Sequence, residues 1–217
     1  MARIALGLEY DGSAYFGWQR QSHAPSVQGE FERALSSVAD HPVRLTAAGR
    51  TDAGVHALMQ VAHFDTTAER PEQAWVLGGS AAAADDLSVL WAREVPGDFH
   101  ARFSALSRTY RYRILNRRIR PALERQRSCW IRRPVDAEAM HEAAQCLLGE
   151  HDFSAVRSAD CQSSTPIRRI TAIAVRRYGM RVEIEISANA FLHHMVRNIA
   201  GTLLAVGVGD RPVAWVA

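Results

Sequence analysis

The chain reads as one order of elements used twice, strand-helix-strand-strand-helix-strand and then the same order again without its last strand, and few folds accept that pattern. In the first half, residues 4–9 alternate as a strand. Ser26 can then cap a helix whose apolar face is Val27, Phe31, Leu35 and Val38, at helical spacing. Residues 43–47 and 61–64 read as two middle strands, residues 72–84 as a second helix and residues 87–94 as a closing strand. In the second half, residues 109–115 read as a strand and residues 117–133 as an arginine-rich connection with a short strand near Trp130. Asp136 caps a helix that turns Met140, Ala143, Ala144, Leu147 and Leu148 inward, with Gly149 as its stop. A hairpin of 169–176 and 181–187 turns at Tyr178-Gly179, and residues 192–206 read as a helix. This predicts an α+β chain of one complete ferredoxin-like (β-α-β-β-α-β) half, residues 1–97, and an incomplete second one, residues 98–217, divided near Pro96-Gly97-Asp98. Two such halves can merge their sheets with a cleft on one side. A missing last strand predicts an exposed apolar edge along residues 170–175 or 182–186.

Composition narrows the function classes. With 217 residues and 47% apolar content the chain can bury a substantial core. No apolar run approaches the roughly 20 residues of a membrane span, and no charged, then apolar, leader opens it. Three unevenly spaced cysteines, Cys129, Cys146 and Cys161, suit reduced thiols in a cytoplasm, and no C-x-x-C pair points to structural zinc. The net charge is +3, and every cation other than histidine is arginine. Residues 102–133 hold eleven arginines against one acid, Glu124. That density fits phosphate recognition by planar guanidinium forks, and a bias toward arginine codons also accounts for it.

The segment between the middle strands of the first half, Gly49-Arg50-Thr51-Asp52-Ala53-Gly54-Val55-His56, places a carboxylate two residues from an arginine and between two glycines. Bare backbone permits close approach of a ligand, and a nearby cation favours the ionised acid. In isolation, an Asp-x-Gly turn with a surface ion pair explains Asp52 equally well. His193 and His194, being adjacent, are expected on different faces of the last helix and not as a metal pair. His56 and His63 are read as structural.

The full octet resembles the active-site motif of the tRNA pseudouridine synthase A family. The resemblance extends through Leu8-Glu9-Tyr10-Asp11-Gly12-Ser13 with Gly17-Trp18-Gln19-Arg20-Gln21, through His100-Ala101-Arg102-Phe103-Ser104 with Tyr110-Arg111-Tyr112, and through Phe191-Leu192-His193-His194-Met195-Val196-Arg197-Asn198. It departs at 79–86, alanine-rich where the family has an Asn-rich turn, and in stopping some tens of residues before family members usually end. The resemblance implies two similar α+β halves sharing a central, mostly antiparallel sheet. It implies isomerisation of uridine to pseudouridine on the 3′ side of the tRNA anticodon stem-loop, with no cofactor and no metal, by a cytoplasmic homodimer. Asp52 matches the essential catalytic aspartate, Arg50 the base-flipping arginine, Tyr110 the active-site tyrosine and Arg197 the active-site arginine, expected buried and partnered by an acid. Arg70, Arg102 and Arg118 match positions that touch tRNA. The loop 160–166 resembles an RNA-contacting loop, with Ser164 where the family often has a basic residue.

Other readings stand beside this one. A non-catalytic RNA-binding module fits paired ferredoxin-like halves, but neither half has the aromatic RNA-recognition signature, and the octet then has no task. An inactive, truncated synthase is another. A hydrolase with paired carboxylates lacks a second acid near Asp52 in the motif; Asp65 lies at the far end of the next strand.

Overall fold

In a computed structural model, residues 1–159, 161 and 163–217 are described. They form two compact units, residues 1–105 and 106–217. The first contains β1 (Ala2–Tyr10), α1 (Val27–Ala39), β2 (Thr46–Ala47), β3 (Ala57–Thr66), α2 (Glu72–Ala82) and β4 (Leu87–Val95). Its four strands are antiparallel neighbours in the order β2-β3-β1-β4. On β1, Ile4, Leu6, Leu8 and Tyr10 all point to the buried face, the period-two pattern of a strand, and meet Phe31 and Leu35 of α1 in the core. Ser26 Oγ caps α1 by accepting the Gly29 N–H at 3.2 Å.

The strand expected over residues 43–47 contracts to two residues, because its backbone has other partners. The Val43 N–H donates to Ser36 Oγ at 2.9 Å and the Leu45 N–H to the Glu32 carboxylate at 3.0 Å. Residues 98–105 belong with the first unit. The His63 ring, buried on β3, accepts the Ala101 N–H at 3.2 Å and packs edge-on against Phe99 and His100. Arg3 donates to the carbonyls of Gly97 and Phe99.

The second unit contains β5 (Arg108–Asn116), β6 (Cys129–Ile131), α3 (Ala137–Ala144), β7 (Gly149–Asp152), β8 (Ile167–Tyr178), β9 (Arg181–Ala188) and α4 (Met195–Gly207). Its sheet runs β6-β5-β9-β8-β7, antiparallel except for the β5–β6 pair. Asp136 Oδ1 caps α3 with two accepted N–H bonds at 2.9 Å. The fully exposed β7, Gly-Glu-His-Asp, has no apolar alternation, so nothing in its sequence marks it as a strand.

Two expectations for this unit are corrected. The apolar residues of the hairpin are not exposed: Ile170, Ile173, Val175, Val182, Ile184 and Ile186 are all buried. β9 is an interior strand between β5 and β8, β7 covers the outer edge of β8 at Ile167–Ile170, and α3 and α4 contribute Met140, Ile199 and Leu203 to the same core. The sparsely covered edge is that of β5, which β6 pairs only at 114–116. Second, α4 begins at Met195 and not at 192, because His194 has a left-handed backbone (φ 61°) that a helix interior does not take.

Candidate active site

The octet is held against the amino-terminal motif by backbone. The Trp18 N–H donates to the Thr51 carbonyl at 2.9 Å, and the Gly54 N–H donates to the Tyr15 carbonyl at 3.2 Å. Tyr10, almost fully buried, joins its hydroxyl to Thr51 Oγ1 at 2.9 Å, and the Gly12 N–H donates to His56 Nδ1 at 3.1 Å. Within the octet, the Val55 N–H donates to the Asp52 carbonyl at 3.2 Å, and Gln60 Nε2 holds the Gly49 carbonyl at 2.7 Å.

Two glycines make this approach possible. A Cβ on Gly12 would lie 2.0 Å from the Val55 carbonyl oxygen. At Gly17 it would lie 2.8 Å from the Thr51 carbonyl oxygen, and the backbone there has φ +97°. The Leu8–Ser13 and Gly17–Gln21 stretches of the sequence are therefore a bed for residues 51–56. Asp86 anchors the bed from outside: its carbonyl accepts the Asp11 N–H at 2.9 Å and its carboxylate the Tyr15 hydroxyl at 2.7 Å. Burial first, then that hydrogen bond, raises the Tyr15 pKa. Asp86 lies in the alanine-rich segment that departs from the family pattern.

A second brace comes from α1. Glu32, buried, accepts from Gln28 Nε2 (3.0 Å) and the Leu45 N–H (3.0 Å) on one oxygen, and from Arg20 and Arg44 (3.2 Å each) on the other. Gln28 in turn accepts the Arg20 N–H at 3.0 Å. One turn of helix thus ties Arg20 of the bed to residues 44–45, just ahead of the octet. Sequence reasoning missed Glu32; its signal was an acid one turn after Gln28, pointing to the same side of the helix.

Asp52 is half-buried in this loop and Arg50 is exposed. Among the described residues no ion pair joins the two. Arg70 is exposed and donates to the Val38 carbonyl at 3.1 Å. Arg102 is exposed, with its guanidinium 5.7 Å from the Phe103 ring centre.

In the second unit, Tyr110 on β5 meets Phe191 edge-on at 5.0 Å and packs against the core. Tyr112 lies on the same face of the strand. Burial, and then the Cys129 thiol as hydrogen-bond partner, push its phenol up to about 12, while the Arg197 charge pulls the other way. Arg197 is therefore near Tyr112, but its side chain is exposed on α4, which corrects the expectation of a buried arginine. Met195 and Ile199 turn inward on α4, and Arg197, midway between them, turns outward. His193 and His194 come together, with ring centres 3.9 Å apart, because both precede the helix. Arg118 is exposed. Of the loop 160–166, Asp160 and Gln162 lie outside the described residues. Arg157 holds the Cys161 and Ser163 carbonyls at 2.6 and 2.9 Å, and Arg168 holds the Thr165 carbonyl at 2.9 Å.

The arginine block divides in two. On the strands, Arg111 pairs with Glu183 and Glu185, and Arg113 with Glu183. Arg133 pairs with Asp210, and the block's one acid, Glu124, pairs with Arg181. In the connection, Arg118, Arg120, Arg125 and Arg132 are exposed and, among the described residues, form no ion pair.

Among the described residues no helix is long and apolar enough to cross a membrane. The family model described as tRNA pseudouridine synthase matches residues 8–104 and 143–217. Proteins named tRNA pseudouridine synthase A are similar along the whole chain. That of Methylococcus capsulatus is 58% identical over 214 residues, 99% of this chain and 79% of the relative. That of Coxiella burnetii is 57% identical over 215 residues, 99% and 82% of the two chains. That of Klebsiella pneumoniae is 54% identical over 217 residues, 100% and 80%. With the octet seated on the amino-terminal motif, and both inside the matched residues, this chain belongs to the tRNA pseudouridine synthase family.

Proposed function

We propose that this protein isomerises uridine to pseudouridine in tRNA, with Asp52 as the essential carboxylate. The observation that carries the reading is the octet itself: a single acid on a loop whose backbone is pinned on both sides by hydrogen bonds and by glycine contacts. Such fixed positioning is what a reaction at a buried sugar carbon requires. The C1′–N1 bond breaks, the uracil turns, C1′ bonds to C5, the C5 proton leaves and N1 gains a proton. Atoms and electrons balance without a co-reactant. Asp52 serves either as nucleophile toward C1′ or as the base that takes the 2′ proton; both use its ionised form.

The target base is stacked in RNA and must be extruded, at a cost of a few kcal/mol. Arg50, exposed beside Asp52, is assigned to that step. Tyr110 is assigned to stacking on the extruded base, Arg197 to the charge of the site, and Arg70, Arg102 and Arg118 to the tRNA backbone. The family reading also carries ferredoxin-like architecture in each half, uridines on the 3′ side of the anticodon stem-loop, a homodimer and a cytoplasmic setting. The β-α-β-β-α-β order of residues 1–105 with its 2-3-1-4 sheet supports a ferredoxin-like first half. Three free cysteines are compatible with the cytoplasmic setting. The test is tritium release from C5-labelled uridine in unmodified tRNA. Release with pseudouridine at the anticodon stem-loop is expected. Binding without release would leave the RNA-binding-module reading.

A further inference from the structure

A second feature of the first unit lies apart from the octet. A cavity of about 460 Å³ opens between the start of α1, the segment at Arg20–Pro25 and the chain at Pro42–Arg44. Three arginines line it, Arg20, Arg33 and Arg44, with two glutamates, Glu30 and Glu32. The arginines are not equivalent. Arg33 turns both Nε and Nη2 to Glu30 (3.1 and 2.9 Å), and its Nη2 also reaches the Ala82 carbonyl. Its charge is matched one to one by Glu30, which it grips with two nitrogens.

Arg20 and Arg44 converge instead on a single oxygen of Glu32, each through one nitrogen, Nη1, at 3.2 Å. That carboxylate is buried, and its other oxygen is occupied by Gln28 and the Leu45 N–H. Glu32 is therefore a fixed post from which two guanidinium groups stand out into the cavity. Their side chains are 53% and 70% exposed. Each keeps N–H groups beyond the one it gives to Glu32. Two cations share one acid there, so the pair has one unit of excess positive charge. An anion with two or more oxygens can bridge such a pair, and the carboxylate has already paid the ordering of the two long side chains.

We propose that Arg20 and Arg44 form a phosphate subsite for the RNA backbone, pre-ordered by Glu32. This rests on the tRNA-modifying function proposed above. It assigns a further stretch of the RNA to the outer surface of the first unit, beside α1.

The test measures tRNA affinity of the full chain against salt concentration for the wild type, Arg44→Ser, the double variant Arg20→Ser/Arg44→Ser, and Arg33→Ser. A phosphate contact releases counterions, so the double variant should lower the slope of log K against log salt by about one unit. Arg44→Ser alone should lower it by less and weaken binding several-fold. Arg33→Ser removes the same charge from the same cavity, yet should leave the slope unchanged. Equal effects of Arg33→Ser and Arg44→Ser would show diffuse electrostatics and overturn the subsite, as would unchanged slopes in both. A parallel arm follows the unfolding midpoint in inorganic phosphate. Stabilisation that Arg44→Ser abolishes while RNA binding is untouched would overturn the RNA assignment in favour of a free anion. Uridine isomerisation by the wild type is measured alongside. Isomerisation with unchanged slopes sinks the subsite alone, and tRNA binding without isomerisation sinks the catalytic reading alone.

Discussion

The bed of the octet and the arginine-rich stretch that follows residue 105 are the two densest motifs of the chain, and they are built by opposite means. The bed meets the octet mostly through uncharged groups. Its contacts with residues 51–56 are chiefly backbone hydrogen bonds, one buried tyrosine and two glycines that admit carbonyl oxygens to within contact, and the Asp86 and Glu32 carboxylates brace it from behind. The arginine stretch uses little else but charge, and on β5 and at Arg133 that charge is spent on acids from distant parts of the chain. Density of one residue type therefore says little until each partner is known. Gly12 and Gly17 mark where the octet is seated better than the arginines do.

The largest effect should come from the bed. Gly12→Ala places a methyl 2.0 Å from the Val55 carbonyl. The octet must move, at a cost of about 1–3 kcal/mol in stability. On the role proposed for Asp52, a displacement of its carboxylate on the order of an ångström lowers turnover about 100-fold. Gly17→Ala should do the same through its positive φ. Wild-type turnover in both would show that the bed is only scaffolding. Tyr10→Phe removes the hydrogen bond to Thr51 Oγ1 and should cost about 1 kcal/mol, read as a lower unfolding midpoint.

A smaller pair of effects separates the two kinds of arginine. Arg118→Ala should lower the salt slope of tRNA binding by about one unit. Arg111→Ala should leave the slope alone, since Glu183 and Glu185 already neutralise that side chain, and should change stability by less than about 1 kcal/mol because the pairs are at the surface. Equal slopes for the two variants would erase the distinction.

The smallest effect concerns pH. Burial first, then the Arg3 and His100 charges, hold the His63 pKa below its ordinary value. The unfolded chain then binds the proton more readily than the folded one, so stability is full above about pH 6.5 and is lost as pH falls through the lower folded value. The unfolding midpoint should drop below pH 6.5, and His63→Gln should flatten that part of the profile.

Much of this was legible in the sequence. Period-two and period-3.6 apolar patterns marked β1, α1, β9 and α3, and the motif residues marked the octet. Other features were not. β2 shrank because Glu32 and Ser36 captured backbone N–H groups, a long-range event that no local pattern records. β7 has no apolar face to betray it. The hairpin was expected to be exposed because a strand count does not tell which strand is interior; β9 lies between two neighbours. Arg197 was expected buried from its motif, whereas its place on α4 between the inward Met195 and Ile199 turns it outward. The division of the arginine block likewise depends on acids more than 70 residues away, such as Glu185 and Asp210.

The most direct measurement is pseudouridine formation by wild type and Asp52→Asn on the same unmodified tRNA, with the affinity of each determined in parallel. The amide keeps the shape of the carboxylate and loses its nucleophilicity and basicity. The expected result is product with the wild type, none with the variant, and tRNA affinities within a few-fold of each other. Turnover by Asp52→Asn at a few per cent of the wild-type rate or better would contradict the assignment of Asp52 and, with it, the purpose of the bed that holds it.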